Sequence, residues 1–169
     1  MSELLGRERL QPSLLDRLTD HAPEARKENF DQQSLTMQQL RQAVLRDLAW
    51  LLNTTNLSAL EDVSATPLAA RSTLNFGIPG FAGLAGTADR LAGLERGIAE
   101  AIRTFEPRIR PDTLRVRLRE RTEEDSAATL VFEIEGELWA QPVPQQLFLE
   151  TALELETGLA VVSEARMRG

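Results

Sequence analysis

The apolar positions of this chain follow two periods. From Met37 they recur at Met37, Leu40, Val44, Leu48 and Leu51, in steps of three and four that place them on one face of an amphipathic helix. Thr36 stands where an N-cap belongs, and Gln39, three residues on, can reach back to the cap amide. Leu35 and Leu40 flank that box as a hydrophobic staple does. Asn53-Thr54-Thr55-Asn56 stops the helix, so the pattern predicts it over about 36–52. Leu91, Leu94, Ile98, Ile102 and Phe105 repeat the same steps and predict a second helix over about 88–105. Thr87 is its candidate cap, Asp89 suits its first turn, and Pro107 ends it by disfavouring helical geometry in the residue before it.

The period then falls to two. Leu114, Val116 and Leu118 alternate with Arg115, Arg117 and Arg119, and Leu130, Phe132 and Ile134 alternate with Val131, Glu133 and Glu135. A hairpin pairing 118 with 130, 116 with 132 and 114 with 134 matches every apolar residue with another and sets Arg115 opposite Glu133. Leu147, Leu149, Thr151, Leu153 and Leu155 predict a third strand, whose other face carries Glu150, Glu154 and Glu156. Pro142 and Pro144 fall in the connection, where they interrupt no ladder. The expected fold class is α+β: an antiparallel sheet of at least three strands, its apolar face covered by the two amphipathic helices.

The remaining stretches are less regular. Residues 1–33 are polar, with Leu14, Leu15 and Leu18 following Pro12 and Ser13 as a short helical turn docked on the core or on a partner. Residues 19–33, with His21, Pro23 and Glu28, read as a linker. The expected organisation is thus an N-terminal polar segment, 1–33, and a single α+β domain, 34–169. Residues 53–87 are rich in glycine and proline, and within them Leu74, Phe76 and Ile78 alternate, which predicts a short extended piece burying all three. Gly77 permits an unusual backbone angle there, and Pro79 biases Ile78 toward extended geometry. Trp50 lies off the apolar stripe of its helix, and the pattern leaves it open between core and interface.

Composition narrows the functional classes. The 169 residues hold 19 Lys+Arg against 26 Asp+Glu, a net charge of −7, which disfavours general nucleic-acid binding and attachment to an anionic membrane surface. There is no Cys, no Tyr and a single His, so disulfides, thiolate sites and multi-histidine metal sites are excluded within the chain. His21 reads as an inert loop residue, and neither a cofactor nor a metal is expected. No run approaches the ~18–20 apolar residues that span a bilayer, and Met1-Ser2-Glu3-Leu4-Leu5 does not read as a signal peptide; a cytoplasmic protein without membrane insertion is expected. Charge is also divided along the strands. Residues 103–121 carry seven Arg against three acids, whereas 122–169 carry two Arg against ten acids. Cross-strand pairing accounts for this simply, and a charged sheet offered to a protein partner is the functional alternative.

Four blocks carry a family resemblance: Pro12-Ser13-Leu14-Leu15-Asp16-Arg17-Leu18; Arg46-Asp47-Leu48-Ala49-Trp50-Leu51-Leu52-Asn53-Thr54; Ser72-Thr73-Leu74-Asn75-Phe76-Gly77-Ile78-Pro79; and Ile102-Arg103-Thr104-Phe105-Glu106-Pro107-Arg108-Ile109. In this order they resemble the TssE family of type VI secretion baseplate components and, more distantly, the gene-25-type wedge proteins of contractile-tail phages. The first block favours the secretion-system branch. The resemblance implies a non-enzymatic assembly protein that contacts the wedge partners TssF, TssG and TssK and offers a sheet to start polymerisation of the contractile sheath. It maps the family's wedge-contact motif onto Glu106, Pro107 and Arg108 without departure. The family's Asn-Tyr-Gly-Leu-Pro-Asp pattern maps onto Asn75, Phe76, Gly77, Ile78, Pro79 and Gly80 with three changes, so the polar roles of the tyrosine and the final acid are missing here. Arg46, Asp47, Trp50, Asn75, Phe76, Gly77 and Pro79 thereby become candidate interface or structural residues. Arg115, Arg117, Arg119, Glu150, Glu154 and Glu156 become candidate sheath contacts.

Two other classes compete. A strand-adding regulatory adaptor could use the same fold. A lysozyme-like glycosidase needs one protonated and one ionised carboxyl facing across a cleft. Arg108, two residues from Glu106, opposes a neutral carboxyl there, and the strand glutamates alternate toward solvent or toward arginines.

Overall fold

The computed structural model describes residues 13–19, 24, 36–81, 88–120, 122, 126–139 and 144–165. Helix α1 is Leu14–Leu18, α2 Met37–Leu52, α3 the single turn Pro67–Ala70, and α4 Ala88–Phe105. Strands β1 (Arg115–Leu118), β2 (Thr129–Leu138), β3 (Gln145–Glu154) and β4 (Ala160–Glu164) form one antiparallel sheet in sequence order. The fold is α+β, as the two periods imply.

Helix α2 begins with the expected reciprocal cap. The Thr36 hydroxyl accepts from the Gln39 amide at 3.2 Å, and the Gln39 carboxamide accepts from the Thr36 amide at 2.9 Å. Its stripe of Leu40, Val44, Leu48 and Leu51 is buried, as are Leu94, Ile98 and Ile102 of α4. These side chains meet the inner sheet face of Phe132, Ile134, Leu138, Leu147, Leu149 and Leu153 in one core. Helix α2 lies toward β4 and α4 toward β1. Thr151 also points into the core, and its buried hydroxyl has no hydrogen-bond partner among the described residues.

Several expectations are corrected. Val116 faces Ile134 and Leu118 faces Phe132, so β1 sits two residues from the expected register and Arg115 lies opposite Glu135, with Arg117 opposite Glu133. A slip of two preserves the faces, which is why alternation alone does not determine the pairing. Strand β3 ends at Glu154, so Glu156 lies in the turn that follows it. The sheet, expected to hold at least three strands, has four, β4 being the one the pattern did not locate. Thr73–Asn75 is a 3-10 turn rather than an extended piece, so Leu74 is exposed while Asn75 and Ile78 are buried. Of the two alternatives for α1, docking on the core or on a partner, the first does not hold, because its leucines are exposed. Thr87, Leu35, His21, Pro12, Pro23, Glu28 and Pro142 lie outside the described residues.

Each edge of the sheet is partly closed by a helix residue. On β1 the Leu118 amide donates to the Glu95 carboxylate of α4 at 2.5 Å. On β4 the carboxamide of Asn53, the C-cap of α2, takes the place of a neighbouring strand. It accepts from the Ala160 amide at 2.9 Å and donates to the Ala160 carbonyl at 2.8 Å. Val162 is the next residue whose backbone faces outward on that edge, and no hydrogen bond to those groups is present among the described residues.

Candidate functional site

The site lies where α2 passes the end of α4. Helix α4 stops at Phe105, and the Glu106 amide still donates to the Ile102 carbonyl at 2.9 Å. Pro107 then turns the chain, the Ile109 amide bonds back to the Glu106 carbonyl at 3.2 Å, and Ile109 is buried against the end of β2 through its bridge to Leu138. The turn aims the Glu106 carboxylate inward, where it is only 3% exposed. Arg108 closes over it. Its backbone amide and Nε donate to Oε1 at 3.1 and 2.7 Å, and Nη2 donates to Oε2 at 2.5 Å.

Arg108 also reaches α2, with Nη2 donating to Asp47 Oδ2 at 2.6 Å. The other oxygen of Asp47 accepts from Arg46 Nε at 2.8 Å, while Arg46 Nη2 lies 2.8 Å away but off the line of a hydrogen bond. Arg46 Nη1 continues to Asp16 Oδ1 on α1 at 2.6 Å, and the Ser13 hydroxyl donates to the second Asp16 oxygen at 2.6 Å. The Arg46 guanidinium carbon sits 5.3 Å from the Trp50 ring centroid, a cation–π distance. Five charged groups thus alternate in sign from α1 to the α4–β1 turn: Asp16, Arg46, Asp47, Arg108, Glu106.

Electrostatics follow from these contacts. Burial works against the Arg108 charge, but the hydrogen bond and charge of Glu106, and then those of Asp47, outweigh it and raise its pKa above the ordinary arginine value. Burial likewise works against the Asp16 charge, and the bonds from Arg46 and Ser13 outweigh it, leaving that carboxyl below its ordinary value. Arg108 Nη1 is buried without a partner among the described residues.

The sequence singled out Glu106, Pro107 and Arg108 and, separately, Arg46, Asp47 and Trp50; the structure brings all six together. Trp50 is exposed rather than core, as is Pro107. Asp16, missed as a site residue, is joined to Arg46 across 30 positions; the only sequence signal was its place in the first of the four blocks.

The glycine-rich candidates make contacts within the chain. The buried Asn75 carboxamide accepts from the Ser58 amide and hydroxyl, both at 2.9 Å, and donates to the Ala70 carbonyl at 2.8 Å. Gly77 has φ of +124°, and a Cβ there would lie 2.3 Å from the Thr54 carbonyl oxygen. That approach lets the Ile78 amide donate to the Thr54 carbonyl at 2.8 Å in the short parallel bridge between Thr55 and Ile78. Pro79 packs on α4 at Gly97, where a Cβ would meet its ring at 2.7 Å. Phe76 meets Phe105 edge to face, with centroids 5.3 Å apart.

The sheet candidates stay apart from this corner. Arg115 and Arg117 are exposed and make no side-chain hydrogen bond or ion pair among the described residues. Arg119 Nη1 bonds Glu150 Oε1 at 2.6 Å, and Glu154 accepts from the Thr157 hydroxyl at 2.5 Å. Among the described residues, no cluster of three or more His, Asp or Glu is placed to hold a metal, and no helix is long and apolar enough to cross a membrane.

The sequence profile of the family described as baseplate wedge protein gp25 matches residues 38–143, which run from the first turn of α2 to beyond the end of β2 and include Arg46, Asp47, Glu106 and Arg108. The chain belongs to the gp25 baseplate wedge family. No curated protein matches it. A solved structure from Geobacter sulfurreducens, proposed to be a tail lysozyme, aligns over 80% of this chain and 100% of its own, with 14% identity and a TM-score of 0.45. A likeness that loose bears on neither fold nor chemistry here. The gp25 match leaves α1, β3 and β4 outside its span, so Asp16 and the open edge of β4 are features of this chain that the match does not cover.

Proposed function

We propose that the protein is a non-enzymatic wedge subunit of a type VI secretion baseplate, assembled in the cytoplasm at the inner membrane, and that the ion-paired corner seats its wedge partners TssF, TssG and TssK. One observation carries this reading: the buried Glu106 carboxylate has both oxygens bound by Arg108, which Asp47 ties to a second helix. A glycosidase requires two carboxyls facing each other across a cleft, whereas both Glu106 oxygens are occupied by Arg108. A preorganised surface presenting Pro107, Arg108 and Trp50 suits binding, because little ordering cost remains when a partner docks. Glu106 then acts from within, by fixing Arg108, whose two-pronged geometry lysine lacks. Family membership supports the baseplate role; the secretion-system branch rests on the TssE resemblance.

In the same reading the segment 1–33 precedes a single domain, 34–169, and the sheet offers the open edge of β4 to the first sheath ring, with Arg115, Arg117 and Glu154 on its outer face. Arg108→Lys keeps the charge and loses one arm of the fork. We expect a folded protein by circular dichroism, destabilised by about 1–3 kcal/mol, that no longer co-purifies with the wedge partners. Undiminished co-purification of that variant contradicts the proposed site, and recovery of a single unrelated cytosolic target in place of wedge proteins favours the adaptor class.

A further inference from the structure

We propose that the alternating charge chain couples the N-terminal helix α1 to the Glu106–Arg108 corner, making Asp16 a positioning residue for a surface it does not touch. The inference rests on the wedge reading for its functional consequence and on geometry alone for the coupling itself.

Every inner member of the chain is shared. Arg46 divides its guanidinium between Asp16 at 2.6 Å and Asp47 at 2.8 Å. Asp47 gives one oxygen to Arg46 and the other to Arg108. Arg108 Nη2 is divided in turn between Asp47 and Glu106. If Asp16 leaves, Arg46 keeps Asp47 as its only carboxylate among the described residues. Asp47 is then drawn toward Arg46 and its hold on Arg108 weakens. In reverse, removing the Arg108 fork frees Asp47 to take Arg46 away from Asp16. Coupling between two bound elements is reciprocal by thermodynamic necessity.

Helix α1 is suited to such a switchable contact. Leu14, Leu15 and Leu18 are 70%, 43% and 74% exposed, so none of the leucines of α1 is buried in the core. A five-residue helix is marginal on its own, and Asp16 supplies both its internal bond with Ser13 and its tie to Arg46. Arg46 also carries Trp50 with it, since the guanidinium lies over the indole ring. Seating α1 therefore fixes one of the exposed aromatic groups beside the corner.

The test uses the full chain and two readouts. In nitrogen-edited NMR spectra of the free protein, Asp16→Asn is expected to move the Nε–H resonances of Arg46 and Arg108 and the indole resonance of Trp50. Arg108→Lys is expected to move the Asp16 amide and the Trp50 indole. Leu18→Ser, which leaves every ion pair in place, is the control and is expected to leave the Arg108 resonance unmoved. An Arg108 signal indifferent to Asp16→Asn, or an Asp16 amide indifferent to Arg108→Lys, overturns the coupling. In binding to the purified wedge partners, Asp16→Asn is expected to weaken affinity about fivefold or more. Loss of binding in Arg108→Lys with full binding in Asp16→Asn overturns the positioning role and leaves the wedge site standing. Shifted resonances with full binding in both variants overturn the wedge reading and support the coupling.

Discussion

Arg108 occupies a position where charge alone is not enough. Its two donors match the two oxygens of a carboxylate that the helix end has driven inward, and the surplus of Nη2 reaches Asp47 across 61 positions. Asp16, at the far end of the same chain of charges, makes part of the assembly pH-sensitive. Its folded pKa lies below the ordinary value, so its contribution is fully present above the ordinary carboxylate pKa of about 4 and is lost as pH falls through the lowered folded value. A carboxyl titration by NMR is expected to place Asp16 below an unstructured aspartate, with the Arg46 Nε–H resonance moving in step; an Asp16 that titrates at the ordinary value contradicts the pairing. Gly77 illustrates a different residue-level constraint. With φ of +124° and a carbonyl oxygen 2.3 Å from any added Cβ, Gly77→Ala is expected to destabilise the fold by about 2–4 kcal/mol in denaturant melts. A loss below about 0.5 kcal/mol would show that the loop relaxes freely.

At the scale of elements, the helices were legible because burial repeats along them. Leu40, Val44, Leu48 and Leu51, and Leu94, Ile98 and Ile102, are local in sequence and record one face each. The pairing of β1 with β2 was not, since Leu118 opposite Leu130 and Leu118 opposite Phe132 bury the same faces. Strand β4 escaped because it is short and Val161 faces outward; Gly158 followed by Val161-Val162 was the signal for it. Leu74 was misplaced because a 3-10 turn breaks the alternation that appeared to run from it to Ile78. The candidate site was legible as two separate motifs, Arg46-Asp47 and Glu106-Pro107-Arg108. Their union, and the entry of Asp16, depend on contacts between distant segments that no local pattern encodes. The edge of β4 carries its own prediction. Asn53 covers Ala160, whereas the outward amide of Val162 has no partner among the described residues, so Val162→Pro removes a donor the sheet itself does not use. Sheath assembly is expected to stop in this variant while its circular dichroism spectrum stays near normal. Sheaths of ordinary length would assign templating to some other surface.

The whole molecule combines a sheet, one helix at each side of its inner face, and a corner where α2 is tied by charge to the turn that follows α4. Its net charge is −7, and the proposed recognition groups stand at the ends of elements. That arrangement suits a component whose task is to hold others in fixed geometry. Both the wedge reading and the coupling through α1 require that partners meet the corner. A reconstruction of the assembled wedge by electron cryomicroscopy tests this most directly. The account predicts partner density against Pro107, Arg108 and Trp50, with the Arg108–Glu106 and Arg108–Asp47 pairs intact beneath it. A wedge in which that corner faces open solvent and the partners grip a different face would contradict it.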